Sequence, residues 1–155
     1  MKTVYDTLNR TIEVLLVIIF SLLVLDVLWQ VFGRYVLGQS FSFTEEFARF
    51  ALIWLTILGA AYLNGKQEHL AMDYWLNKLP PDQREQRRGI IEVLMAVFAL
   101  VVMVIGGGNL VYTTFSLGQV SAAMGLPLGG IYAIVPISGL CILFFSFYNL
   151  RRYEH

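Results

Sequence analysis

Charged and metal-binding residues are scarce in this sequence of 155 residues. Only 14% of its residues are Asp, Glu, Lys or Arg, it has two histidines, and its one cysteine is Cys141. A single cysteine excludes a disulfide framework within the chain, and a formal net charge of zero gives no reason to expect a nucleic acid partner. A soluble domain of this length would need more charge to cover its surface. The composition, 57% hydrophobic, therefore favours a membrane protein.

Four long apolar segments dominate the chain. They cover residues 12–32, 47–63, 90–112 and 131–150. Each is close to the roughly 20 residues that a helix needs to cross the hydrocarbon core of a bilayer. We therefore predict an all-α integral membrane protein with four transmembrane helices, built as a single membrane domain over residues 1–155.

Basic residues are distributed unevenly between the two ends of these segments. Nine of the eleven Lys and Arg residues lie before the first segment, between the second and the third, or after the fourth. The opposite side has Arg34 and Arg49, and residues 113–130 carry no charge. Because cytoplasmic loops hold the excess of Lys and Arg, both termini are predicted to be cytoplasmic.

The connection between the second and third segments has a pattern of its own. Within residues 68–79, an apolar set follows the spacing of one helical face: Met72, Trp75, Leu76 and Leu79. This pattern predicts a short amphipathic helix in the membrane interface, with Trp75 as its anchor. A connecting helix packed on the bundle is the alternative.

A polar cluster marks the predicted outer end of the first two helices. It consists of Asp26, Gln30, Arg34, Glu45, Glu46 and Arg49. Spacings of three or four residues place side chains on one helical face, so these groups are expected to form one network. Charges in a membrane segment need partners or a function. We predict that the network locks the two helices together; a surface for another protein and a proton or ion relay are the alternatives.

Small residues within the apolar segments predict close helix packing. Gly59 lies in the second segment, and Gly106, Gly107 and Gly108 lie in the third. Glycine lets the backbone of a neighbouring helix approach closely. Pro136 in the fourth segment predicts a kink there.

Catalytic and cofactor-binding patterns are missing from the sequence. His69 and His155 both lie outside the apolar segments, so they are not placed to hold a haem in the core of a bundle. No Ser-His-Asp arrangement or metal-ligand spacing is apparent. We predict that the chain is not an enzyme and holds no cofactor or metal of its own; a membrane-bound enzyme or redox anchor is the alternative.

Short motifs follow one another in order along almost the whole chain. They are Phe32-Gly33-Arg34-Tyr35, Phe43-Thr44-Glu45-Glu46-Phe47-Ala48-Arg49, Trp54-Leu55, Leu58-Gly59-Ala60-Ala61, Glu68-His69-Leu70, Leu79-Pro80, and Gly118-Gln119 through Leu126-Pro127. With these motifs the chain resembles the small (Q-type) membrane subunit of tripartite ATP-independent periplasmic (TRAP) transporters. Phe43 departs from the Trp that the family often has, and Leu70 from its Val or Ile.

The resemblance implies a division of labour among three proteins in the bacterial inner membrane and periplasm. A periplasmic binding protein captures an organic acid, such as a C4-dicarboxylate or sialic acid. A large membrane subunit moves it with sodium ions that the large subunit itself binds. This chain would be the auxiliary subunit, paired with the large one as a heterodimer, surrounded by membrane lipids and in transient contact with the binding protein. Arg34 matches a basic residue at the outer face, where the binding protein could dock.

A stand-alone carrier is the alternative from another class. Small proton-coupled multidrug transporters also have four helices and use an acidic residue in the first. Glu13 or Asp26 could take that part, although Glu13 lies at the predicted cytoplasmic end of its segment. The amphipathic connection at residues 68–79 is foreign to such proteins, which favours the auxiliary subunit.

Overall fold

Helices make up nearly all of the described chain. The computed structural model describes residues 2–39, 41–66 and 81–153. In chain order the elements are α1 (Lys2–Val36), α2 (Ser42–Lys66), α3 (Pro81–Phe98), a π-helical stretch (Ala99–Gly106), α4 (Gly107–Ser116), α5 (Leu128–Tyr132) and α6 (Ile134–Tyr153).

Within the described residues, four helical units are long and apolar enough to cross a membrane. They are Thr3–Val36, Ser42–Lys66, Gly89–Ser116 and Leu128–Leu150. The prediction of an all-α protein with four transmembrane helices is confirmed. Each unit is longer than its predicted apolar segment because the helix continues beyond the apolar run at one or both ends. The predicted amphipathic segment 68–79, with Trp75, lies outside the described residues.

The central helix of the bundle is α6, which packs against both α2 and the third span, while α1 packs on α2. Phe145 and Ile142 of α6 are fully buried at these contacts. Tyr5 at the start of α1 stacks on Tyr148 near the end of α6, with ring centroids 4.4 Å apart. Both termini therefore lie at one end of the bundle, here named the termini end. The opposite end, with residues 37–39, 41 and 117–127, is the loop end. That the termini end is cytoplasmic stays a prediction.

The third span crosses α6 where glycines leave room for backbone contact. A β-carbon on Gly139 would lie 2.7 Å from the Met103 β-carbon, and one on Gly107 would lie 2.8 Å from Cγ1 of Val135. Neither distance is compatible with a real side chain unless the neighbouring atoms shift. Glycine at these two positions is therefore what allows the two spans to pack this closely.

The other predicted packing glycines do not contact a neighbouring helix of the chain. A β-carbon on Gly59 or Gly108 would meet nothing within 4 Å, and one on Gly106 would meet only a backbone oxygen at 3.6 Å. Gly107 is therefore the one of the four that serves packing inside this chain.

The fourth span is interrupted near its start, as the proline predicts. α5 ends at Tyr132 and α6 begins at Ile134, so the break lies at Ala133. Pro136 has no N–H to donate to the carbonyl of Tyr132, four residues earlier, and its ring crowds that carbonyl. The interruption is the consequence of that missing hydrogen bond.

Candidate functional site

The Glu46 carboxylate holds the long loop at the loop end. Its Oε2 atom accepts hydrogen bonds from the Ser121 hydroxyl and from the backbone N–H groups of Ala123 (2.9 Å) and Met124 (3.0 Å). Its Oε1 atom accepts one from the N–H of Ala122 at 3.1 Å. Successive backbone N–H groups that converge in this way form an anion-binding concavity. Here the anion is a side chain of α2, so the loop is fixed to that helix.

The loop itself is shaped to present these donors. Gly118 and Gly125 have φ angles of 58° and 65°, in the left-handed region that glycine adopts without strain. The Ser121 N–H donates to the Leu126 carbonyl at 2.8 Å, and the Gly125 N–H donates to the Ser121 carbonyl at 3.0 Å. The loop is thus a compact turn that encloses one carboxylate.

A second polar contact joins α1 to the start of α2. The side-chain amide of Gln30 donates to Oδ2 of Asp26 at 2.6 Å and to the carbonyl of Thr44 at 3.1 Å. Thr44 is buried, and its hydroxyl donates to the carbonyl of Phe41 at 2.8 Å. Gln30 is therefore the residue that ties the first helix to the second at this level.

The remaining charges at the loop end interact weakly within the chain. Arg34 and Glu45 approach to 4.0 Å, with side chains that are 70% and 52% exposed. Ion pairs this exposed contribute about 0–1 kcal/mol to stability. Arg49 is exposed, and in the part of the chain that the structure describes it forms no ion pair within 4.0 Å.

The six predicted residues therefore do not form a single network. Glu46 binds the loop, Gln30 binds both Asp26 and the Thr44 carbonyl of α2, and Arg34 faces Glu45. Arg49 was expected in one network with the two glutamates, but among the described side chains it pairs with neither Glu45 nor Glu46 within 4.0 Å. Glu46 points to the loop and Glu45 points to α1, which leaves Arg49 on the open side of α2.

A polar cluster that the sequence did not reveal lies between α2, α3 and α6. The Asn149 amide donates to Oε1 of Glu92 at 3.0 Å and to the carbonyl of Asn64 at 3.4 Å. The Asn64 amide donates to the carbonyl of Ile142 at 3.3 Å and to the Ser146 hydroxyl at 3.2 Å. All four side chains are buried, with at most 4% exposure. The available signal was a strongly polar residue close to the end of each of three apolar segments: Asn64 just after the second, Glu92 near the start of the third and Asn149 near the end of the fourth. Only the packing of the helices shows that these three residues meet.

Trp29 and Trp54 lie in different environments. The Trp54 indole N–H donates to the carbonyl of Ile131 at 3.0 Å, so Trp54 is a packing residue that links α2 to α5. Trp29 is 51% exposed and lies beside Phe32 on α1. Among the described residues, no group of three or more His, Cys, Asp or Glu side chains is placed to hold a metal ion.

Comparison with known proteins agrees with this architecture. Residues 23–153 match the family described as tripartite ATP-independent periplasmic transporters, DctQ component. A TRAP transporter small permease protein of Haemophilus influenzae is 27% identical over 92% of this chain and 86% of its own length. The ectoine TRAP transporter small permease protein TeaB of Halomonas elongata is 28% identical, over 94% of this chain and 77% of its own length.

A third relative is similar over a comparable length. The sialic acid TRAP transporter small permease protein SiaQ of Vibrio cholerae is 24% identical, over 86% of this chain and 81% of its own length. None of these similarities supports a stand-alone multidrug carrier, and the family is a transporter subunit and not an enzyme. The chain is a multi-pass membrane protein that belongs to the DctQ family, the small permease component of TRAP transporters.

Proposed function

We propose that this chain is the auxiliary subunit of a sodium-driven, binding-protein-dependent importer of organic acids in a bacterial inner membrane. The family match over residues 23–153 carries this proposal. The relatives' names mention two different solutes, ectoine and sialic acid, so similarity in this subunit does not specify the solute. A C4-dicarboxylate or a sialic acid is the substrate class we propose, with the sodium ions bound by the large subunit.

One face of α2 has the character of an interface with another transmembrane helix. Its exposed residues are Glu45, Arg49, Leu52, Thr56, Ala60 and Leu63. Small residues on such a face allow close approach of a second backbone, and an arginine inside a spanning helix needs a partner for its charge. We propose that the large subunit covers this face and pairs with Arg49, as a one-to-one heterodimer.

Co-purification tests this interface directly. The chain is expressed with its large subunit, and the amount of large subunit recovered through a tag on the chain is measured in detergent. Gly59→Leu places a side chain beside this face without a clash inside the chain, so we expect the recovered complex to fall about tenfold. Gly108→Leu is the matched control, since that glycine is equally open but lies on α4. Wild-type recovery with Gly59→Leu would contradict the proposed interface.

The loop end supplies the surface that we propose for the binding protein. Tyr35 is 83% exposed, and Leu117 and Val120 on the loop are 66% and 61% exposed. Arg34, which precedes Tyr35 in the chain, provides an exposed cation at the same end. Because Glu46 fixes the loop to α2, Leu117 and Val120 are presented by a loop held in one conformation, which lowers the entropy cost of docking.

A further inference from the structure

An exposed asparagine lies deep inside the third span. Asn109 is seven residues from the end of this span at Ser116, which corresponds to about 10 Å along a helix. Two residues before it, Gly107 packs on Val135, and Val135 packs on the same hydrophobic cluster as Ile57 in the middle third of α2. Asn109 therefore lies at the depth of the membrane hydrocarbon, where a carboxamide without a hydrogen-bond partner is unfavourable.

The Asn109 side chain points away from the helices of its own chain. Gly107 faces α6, and two residues correspond to about 200° around an α-helix, so Asn109 lies on nearly the opposite side. It is exposed, and within the residues that the structure describes its amide has no hydrogen-bond partner. Ser21 in the first span differs, because its hydroxyl donates to the carbonyl of Val17 in its own helix at 2.8 Å. The Asn109 amide can be satisfied only from outside the chain.

A continuous exposed surface surrounds this amide, here named the Asn109 face. Its members are exposed and are spaced by three or four residues: Gly106, Asn109, Tyr112, Thr113 and Ser116. Gly106 has no side chain, and a β-carbon there would meet only a backbone oxygen of its own helix, at 3.6 Å. A second helix can therefore approach the backbone closely beside Asn109 and reach its amide.

The charge and hydrogen-bonding character of this face determine which partner it fits. It has no charged residue, and its polar groups, one carboxamide and three hydroxyls, all both donate and accept hydrogen bonds. Such a face is complementary to itself, as a two-fold interface between identical chains requires. The α2 face differs, because Arg49 and Glu45 carry charges that a neutral partner surface would leave unpaired.

We propose that the Asn109 face binds a second copy of this chain. Two Asn109 side chains pair across the two-fold axis, and each amide N–H donates to the carbonyl oxygen of the other. Gly106 of each copy allows the backbones to approach closely enough for this exchange. The pairing goes beyond the one-to-one heterodimer proposed above, since it joins two heterodimers through their small subunits and leaves the α2 face to the large subunit.

Two differently tagged copies of the full chain test the proposal. Both are expressed with the large subunit and extracted in mild detergent, and the amounts of second tag and of large subunit recovered through the first tag are measured. Asn109→Leu keeps the size of the side chain and removes its hydrogen-bonding groups. We expect it to lower the recovered second tag about tenfold and to leave the recovered large subunit at the wild-type level.

Three further variants assign this loss to the face. Gly106→Leu should also lower the recovered second tag, because its side chain separates the two backbones. Asn109→Gln, which keeps a carboxamide, should retain more second tag than Asn109→Leu. Ser21→Ala is the matched control, since it removes an exposed polar group of another span that is satisfied within its own helix.

Three results would overturn the proposal. The first is no recovery of the second tag with wild-type copies, and the second is wild-type recovery of that tag with Asn109→Leu. The third is loss of the large subunit in Asn109→Leu, which would assign the face to the large subunit. If Asn109→Leu failed to fold, wild-type recovery of the second tag with Gly106→Leu would overturn the proposal in its place.

Discussion

The hydroxyl of Ser121 donates a hydrogen bond to the carboxylate of Glu46, which lies 75 residues earlier in the chain. Three backbone N–H groups after Ser121 complete the same carboxylate site. This contact determines the shape of the loop end, where the binding protein is proposed to dock. It also explains how a glutamate is stabilised at the edge of a membrane span, since its charge is spread over four donors.

Replacing Glu46 by glutamine should loosen the loop. A neutral amide offers one acceptor oxygen where the carboxylate offers two, and it loses the charge-assisted component, so we expect destabilisation by about 1–3 kcal/mol. Thermal unfolding of the chain in detergent measures this loss. Glu45→Gln is the control, because its exposed ion pair contributes about 0–1 kcal/mol. Equal stability of the two variants would show that the loop contact is not stabilising.

The buried cluster around Asn149 should be sensitive to truncation. Asn149→Ala removes the amide that connects Glu92 with the carbonyl of Asn64, and a cavity remains at a fully enclosed site. We expect about 1–3 kcal/mol of lost stability in the same unfolding measurement. Asn109→Ala serves as the comparison, since Asn109 is an exposed asparagine in the third span. A larger loss at Asn109 than at Asn149 would contradict the structural role of the cluster.

The crossing of the third span and α6 should tolerate no added side chain. Gly139→Ala places a methyl group 2.7 Å from the Met103 β-carbon, which requires the helices to shift. Overpacking of this kind costs about 1–3 kcal/mol. Gly108→Ala meets nothing within 4 Å and should leave stability unchanged or slightly improved through the better helix propensity of alanine. If both alanines were tolerated equally, the two spans would not be packed this closely.

Charge reversal at Arg34 separates docking from folding. Because its pairing with Glu45 is weak and exposed, Arg34→Glu should change stability by less than about 1 kcal/mol and leave the complex with the large subunit intact. Uptake that depends on the binding protein should fall. Wild-type uptake by the intact Arg34→Glu complex would rule out an essential docking role for this residue.

The four spans could be predicted from sequence because length and hydropathy alone determine which segments can cross a bilayer. The break near Pro136 was equally accessible, since it follows from a missing N–H. Contacts formed by backbone groups leave no comparable signal in the amino-acid sequence. Three of the four donors to Glu46 are backbone N–H groups of small or apolar residues, so their sequence does not indicate that they bind an anion.

Helical spacing was a misleading guide for Arg49. A separation of three or four residues permits an ion pair on a helix. The pair does not form when each residue has a more favourable partner elsewhere in the structure. Glu46 has four hydrogen-bond donors in the loop, and Glu45 faces Arg34 across the gap between α1 and α2. These tertiary contacts determine which groups Glu45 and Glu46 bind, and Arg49 faces away from the bundle.

The central claim is that this chain assists a transport subunit and does not itself carry substrate. The direct measurement is uptake of a labelled organic acid into proteoliposomes under an inward sodium gradient. With the large subunit, the binding protein and this chain together, we expect uptake that disappears when the sodium gradient is removed. With this chain and the binding protein but without the large subunit, we expect none. Sodium-driven uptake by this chain without the large subunit would contradict the account.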